Sequence, residues 1–247
     1  MLRTKLPLVL LAAAAAACGS HEIAPPVTTT AATADGATAN VELAIREYKL
    51  PTAGAFPHDV AVGTTGSLWF TEERANKIGR LDPTRGVFRE YALVTPAAGP
   101  HGIAVDRGGN VWFTANAKGF IGKLDPESGR FSKFALPDPR ASDPHSLAFG
   151  NDGTLWFTVE KAGFVGKLNP ETGQFALRPL ARPGALPYGL AIGKDGAPYV
   201  AEFGTNSIAR VDPETMQVKE LPLPNGARPR RIAVAPDGML YYTDFAR

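Results

Sequence analysis

Cysteine is almost absent from this 247-residue chain. Its single copy, Cys18, rules out any disulfide within the molecule. Net charge is nearly absent as well. Lys and Arg number 26 against 24 Asp and Glu, and two of the basic residues, Arg3 and Lys5, lie in a segment expected to be removed, which leaves 24 of each. A neutral mature chain lacks the net basic face that phosphate binding needs, so nucleic acid is not an expected partner. The apolar run at residues 6–17 is too short to cross a bilayer as a helix, which takes about 20 residues. Histidine is scarce, four in all, which makes its placement informative. What is abundant is apolar residues, 44% of the chain, enough for one sizeable core or a repeat array.

Arg3 and Lys5 followed by the apolar run read as an export signal, processed rather than structural. At its end stands Ala-Ala-Cys-Gly-Ser, which resembles the lipobox of bacterial lipoproteins. That resemblance implies that Cys18 becomes the lipidated first residue; the alternative is an ordinary signal with an incidental cysteine. The expectation is an exported bacterial protein in the periplasm or on the cell surface, held to the membrane through a lipid anchor only. Residues 1–17 are then the signal peptide, and residues 18–40, rich in Ala, Thr and Pro, a flexible tether. Residues 41–247 form the domain.

Within that domain the phrase Pro-x-x-(apolar)-Ala, with an aromatic pair twelve residues on, occurs five times, beginning at Pro57, Pro100, Pro144, Pro187 and Pro229. Spacings of 42 to 44 residues mean a stacked or circular array of one supersecondary unit, which cannot bury its apolar faces alone. The pairs are Trp69-Phe70, Trp112-Phe113, Trp156-Phe157, Tyr199-Val200 and Tyr241-Tyr242. In the second copy, runs at 102–105, 111–114, 120–124 and 131–136 are separated by turn residues, a four-strand pattern. Four antiparallel strands per 42 to 44 residues make one β-propeller blade, so the fold class is all-β: four complete blades and a partial fifth. Acidic turns such as Asp125-Pro126-Glu127-Ser128-Gly129 read as type I turns rather than calcium loops. Arg-Glu-Tyr-Lys-Leu at 46–50 matches Arg-Glu-Tyr-Ala-Leu at 89–93, so it reads as an orphan fourth strand able to complete a closing blade. The fifth copy supplies only two strands, and the chain is expected to be a fragment truncated at its C-terminus.

In an antiparallel hairpin the start of the first strand lies beside the end of the second. Residues after each Pro and after each aromatic pair therefore share one face around the channel. The first set is His58, His101, His145, Tyr188 and Arg230, with Arg231 beside it; the second is Glu72, Glu73, Asn116, Glu160, Glu202 and Asp244. Polar residues converging on a concave propeller end form a default site for a small-molecule ligand or substrate. Tyr188, Arg230, Arg231 and Asn116 are its candidate binding residues, and the two arginines suit an anionic group. A repeat-consensus histidine that only caps a turn is the competing interpretation. Glu72, Glu202 and Asp244 are candidate metal ligands, though each is equally a solvated loop carboxylate.

Pro-His-Gly-Ile-Ala at 100–104, Gly-Asn-Val-Trp-Phe-Thr at 109–114 and Ile-Gly-Lys-Leu at 121–124 resemble the streptogramin lyase (virginiamycin B lyase) family, from about Val41 to the end. The resemblance implies seven blades in the intact protein, which is expected to be a monomer. It also implies a carbon–oxygen lyase opening a lactone by elimination with magnesium, in which a histidine takes the proton α to the ester carbonyl. His58, His101 and His145 match the family's Pro-His element, which makes them the candidate catalytic residues. Only Asp143 keeps an acid two positions before the histidine; Phe56 and Gly99 stand there in the earlier copies. The family keeps its catalytic histidines in its last blades, whereas these lie in the first three. Two other functions fit such a mouth: a non-catalytic, membrane-tethered ligand- or protein-binding propeller, and a gluconolactonase-type metal-dependent hydrolase.

Overall fold

The computed structural model describes residues 27–32, 38–43 and 45–246. It divides into two units, Met1–Pro51 and Thr52–Arg247. In the first, β1 (Val27–Ala32) pairs antiparallel with β2 (Thr38–Leu43). Threonine and valine favour a pleated ribbon, so this hairpin stands where the sequence suggests a structureless tether, and it straddles the expected domain start at 41. Residues 46–50 carry no regular structure, against the expected orphan strand. A strand forms only by joining a ladder, and these residues pair with none. The expected signal, Cys18 and the start of the tether lie outside the described residues.

The second unit is strands throughout, with no helix among the described residues. Blade one is β3 (Pro57–Val62), β4 (Leu68–Glu72), β5 (Lys77–Asp82) and β6 (Val87–Ala92). Blade two is β7 (Pro100–Val105), β8 (Val111–Ala115), β9 (Phe120–Leu124) and β10 (Phe131–Ala135). Blade three is β11 (Pro144–Phe149), β12 (Leu155–Val159), β13 (Phe164–Leu168) and β14 (Phe175–Pro179). Blade four is β15 (Pro187–Ile192), β16 (Pro198–Glu202), β17 (Ser207–Val211) and β18 (Val218–Pro222). A fifth sheet holds β19 (Pro229–Val234) and β20 (Leu240–Asp244). Each complete sheet is a meander in chain order, all antiparallel. The turns behave as their sequence suggests: Asp82, Asp125, Asn169 and Asp212 each turn a side-chain oxygen back onto N–H groups two and three residues on.

The aromatic pair is explained by strand alternation, since neighbours on a strand point to opposite faces. Trp69 points forward to join Ile103, Val111 and Phe113 of blade two, Trp112 joins Leu155 and Phe157 of blade three, and Trp156 joins Val200 and Val211 of blade four. Phe113 and Phe157, the second members, point backward into the same layers. Each such phenylalanine also lies over a glycine directly opposite on the third strand: Phe70 over Gly79, Phe113 over Gly122, Phe157 over Gly166. A Cβ at any of these glycines would collide with the ring. In blade four the partner is Val200, and there alanine is admitted, as Ala209.

Candidate functional site

The inner strands place the site because each is interrupted at the same point. In β3, β7, β11, β15 and β19 the pairing with the second strand shifts register between the Pro and the third residue after it. Such a bulge takes the two intervening residues out of the ladder and re-aims their side chains. Those residues are His58-Asp59, His101-Gly102, His145-Ser146, Tyr188-Gly189 and Arg230-Arg231.

A threonine on the second strand repairs the broken ladder. Thr71 Oγ1 accepts from the Asp59 N–H at 3.0 Å and donates to the His101 carbonyl of the next blade at 2.8 Å. Thr114 accepts from the Gly102 N–H and donates to the His145 carbonyl; Thr158 links Ser146 to the Tyr188 carbonyl. Thr243 accepts from the Arg231 N–H at 3.0 Å. Successive inner strands approach so closely that a Cβ at Gly102 would strike the His145 carbonyl, and one at Gly189 would lie 2.6 Å from the Arg230 carbonyl. Glycine is needed there for contact between blades.

The result is a continuous column of rings. Ring centroids stand 3.6 Å apart for His58 and His101, and 3.9 Å apart for His101 and His145. Tyr188 continues the column 3.9 Å from His145. The Arg230 guanidinium lies over the Tyr188 ring at 4.7 Å and donates to its hydroxyl at 2.8 Å. Arg231 reaches from the fifth sheet back to the first blade, donating to both oxygens of Asp59 at 2.5 and 3.2 Å. His58 Nδ1 is 3.3 Å from Asp59 Oδ1 but lacks hydrogen-bond alignment. Among the catalytic and binding candidates, His58, His101, His145, Tyr188, Arg230 and Arg231 are therefore brought together.

Burial keeps the two inner imidazoles, His101 and His145, neutral. Burial, helped by repulsion from His58, pulls His101 down to about 4. Burial and then the His101 charge take His145 lower still, to about 2. His145 Nε2 is 3.5 Å from Glu160 Oε2, and its Nδ1 is 3.2 Å from Ser146 Oγ. Burial pushes Asp59 upward, but His58 and Arg231 outweigh it and hold the carboxyl well below the usual carboxylate range.

The acids are placed differently. Asp143 accepts the Lys161 N–H at 2.8 Å while its other oxygen is buried without a partner. Asn116 donates to the Pro144 carbonyl at 3.2 Å, and Asp244 accepts from the N–H groups of Arg228 and Ala246. Glu72 and Glu202 are fully buried. Glu202 accepts from Thr205 and Ser207 of its own blade. Strand alternation puts Glu72 on the Phe70 face of β4, opposite the Thr71 face. Glu72, Glu202 and Asp244 do not assemble with one another; among the described residues the group of three potential metal ligands is His58, Asp59 and His101. Sequence reasoning missed Asp59 and the threonines. The threonine signal was present, since Thr71, Thr114, Thr158 and Thr243 each close the aromatic pair at the repeat spacing.

The fold and site define a β-propeller with a column of three histidines on its inner strands. The model of the virginiamycin B lyase family matches residues 27–172, and the chain belongs to that family. It is similar to a solved streptogramin B lyase, at 31% identity over 90% of this chain and 70% of that one, with a TM-score of 0.75. It is also similar to a catalytically inactive histidine-to-alanine form of virginiamycin B lyase from Staphylococcus aureus with quinupristin, at 28% identity over 88% of this chain and 71% of that one, TM-score 0.75. A gluconolactonase from Xanthomonas campestris shares the fold at 16% identity, covering 76% of this chain and 69% of that one, TM-score 0.61.

Proposed function

We propose that this chain opens a lactone by elimination at the histidine-lined mouth, in an exported protein anchored through Cys18. The observation that carries the proposal is the contact of three imidazoles from three successive blades, in a family with a relative described as inactive when a histidine is replaced by alanine. In such an elimination a base takes the proton on the carbon next to a carbonyl, and the C–O bond at the following carbon breaks. The products are an alkene and a carboxylate, with no water consumed. His58 is the proton acceptor, because its side chain keeps 18% exposure while His101 and His145 are closed in behind it. Arg230, anchored on Tyr188, supplies positive charge for the carboxylate that leaves.

Magnesium, which the family resemblance implies, does not fit the described residues. It favours hard oxygen donors in an octahedron, whereas the cluster here is two imidazoles and one carboxylate already paired with a guanidinium. No step is assigned to it. The weak basicity of His101 and His145 favours a second reading, a tethered propeller that binds a ligand without turnover.

Mass spectrometry of type B streptogramins and simple lactones incubated with the protein separates these readings. Elimination leaves the mass unchanged and creates a double bond; hydrolysis adds one water. His58→Ala is expected to slow product formation by about 10²–10⁴-fold. Saturable binding with every lactone left intact would support the second reading instead.

A further inference from the structure

His58, Asp59 and His101 share a feature that the elimination does not use. Their donor atoms all lie within 4.8 Å of one another. His58 Nδ1 and Asp59 Oδ1 are 3.3 Å apart, which is about the separation of two ligands on one tetrahedral ion with bonds of about 2.0–2.2 Å. His101 is 7% exposed, and its Nδ1 is buried with no hydrogen-bond partner; His58 Nδ1 is equally without one. Buried nitrogens left unpaired carry a cost unless something occupies them. The backbone beneath them is held by Thr71, which bonds both the Asp59 N–H and the His101 carbonyl. The donors therefore stand on a fixed platform rather than on a loop.

We propose that His58, Asp59 and His101 bind a divalent transition-metal ion of the zinc class. Two imidazoles and a carboxylate suit zinc and its neighbours and not magnesium, and three protein ligands leave a fourth position for water or an anionic ligand. Arg231 is the resident competitor: its guanidinium occupies Asp59 bidentately, linking the fifth sheet to the first blade. The incoming ion takes the carboxylate, and Arg231 is released toward the mouth. His145, packed on His101 at 3.9 Å, closes the other side. Binding of this kind is independent of turnover.

Equilibrium dialysis against zinc chloride, with the metal counted per folded chain, tests this on the mature protein carrying His21→Ala. That change removes the fourth histidine, which lies outside the described residues. The expected result is one zinc per chain, lost in His58→Ala and His101→Ala, weakened in Asp59→Asn, and not displaced by excess magnesium. Arg231→Ala is expected to tighten binding by about tenfold, since a charge-assisted pair of about 1.5 kcal/mol no longer competes. Thermal melts identify any variant that fails to fold; if buried His101→Ala does, His58→Ala and Asp59→Asn carry the test. Absence of zinc from the His21→Ala protein would overturn the proposal. So would zinc that survives both His58→Ala and Asp59→Asn. Neither outcome bears on the lactone assay, which is read from product mass.

Discussion

Two glutamates sit fully buried inside a β-sheet fold, each facing a second glutamate of its own blade, Glu90 beside Glu72 and Glu220 beside Glu202. Glu202 spends one oxygen on the hydroxyls of Thr205 and Ser207 at 2.7 and 2.6 Å. Glu72 makes no hydrogen bond in its ionised form, and it faces the Glu90 carboxylate. Two carboxylates can bond only if one carries a proton. Burial works against Glu90 ionising, but Lys77 and Thr52 outweigh it and keep Glu90 charged, so the proton belongs on Glu72. Burial first, then the Glu90 charge, raise Glu72 from 4.5 to about 7. A raised folded pKa means stability that is complete below about pH 4.5 and is lost as pH climbs through about 7, up to about 3 kcal/mol. The depressed His101 has the opposite sign, its contribution being present above 6.5 and lost as pH falls toward 4. Comparing wild type with Glu72→Gln therefore isolates the glutamate. Urea unfolding at pH 5 and pH 8 is expected to show the variant gaining on wild type at the higher pH; parallel behaviour would refute the assignment.

At the scale of the element, the strands were legible because each repeat obeys local rules. Runs of β-branched and aromatic residues, Asx-Pro turns and the two-residue alternation need only their neighbours. The hairpin rule also predicted that His58, His101 and His145 share a face. The mistake about Glu72 came from treating strand ends as loops: as the last residue of β4 it still alternates, and it follows Phe70 rather than Thr71. The Asp59–Arg231 pair was out of reach, because residues 172 apart meet only when the first and fifth sheets approach. Residues 46–50 mislead for a related reason, since a strand sequence without a ladder remains without regular structure. The phenylalanine–glycine pairs predict their own substitution pattern. Gly122→Ala, which drives a methyl into the Phe113 ring, is expected to cost about 1–3 kcal/mol in urea unfolding. Adding Phe113→Val, the combination already present as Val200 with Ala209, is expected to recover part of that loss. No recovery would mean the ring and the glycine are not a unit.

For the whole molecule, the repeat does two jobs with one geometry. Forward-pointing tryptophans and backward-pointing phenylalanines glue blade to blade, while the bulge beside each inner-strand proline frees two residues from the ladder. Because the bulge recurs in five sheets, changes at only two positions per repeat set the chemistry: imidazole, carboxylate, phenol or guanidinium on an unchanged frame. These residues form one interacting column rather than five separate turns. Histidine-resolved NMR titration of wild type and of His58→Ala reads that interaction. His101 is expected to stay neutral until about pH 4 and His145 to be protonated only below it, and removing His58 is expected to move His101 upward because a neighbouring charge is gone. Titration of both imidazoles near 6.5, unchanged by His58→Ala, would contradict it.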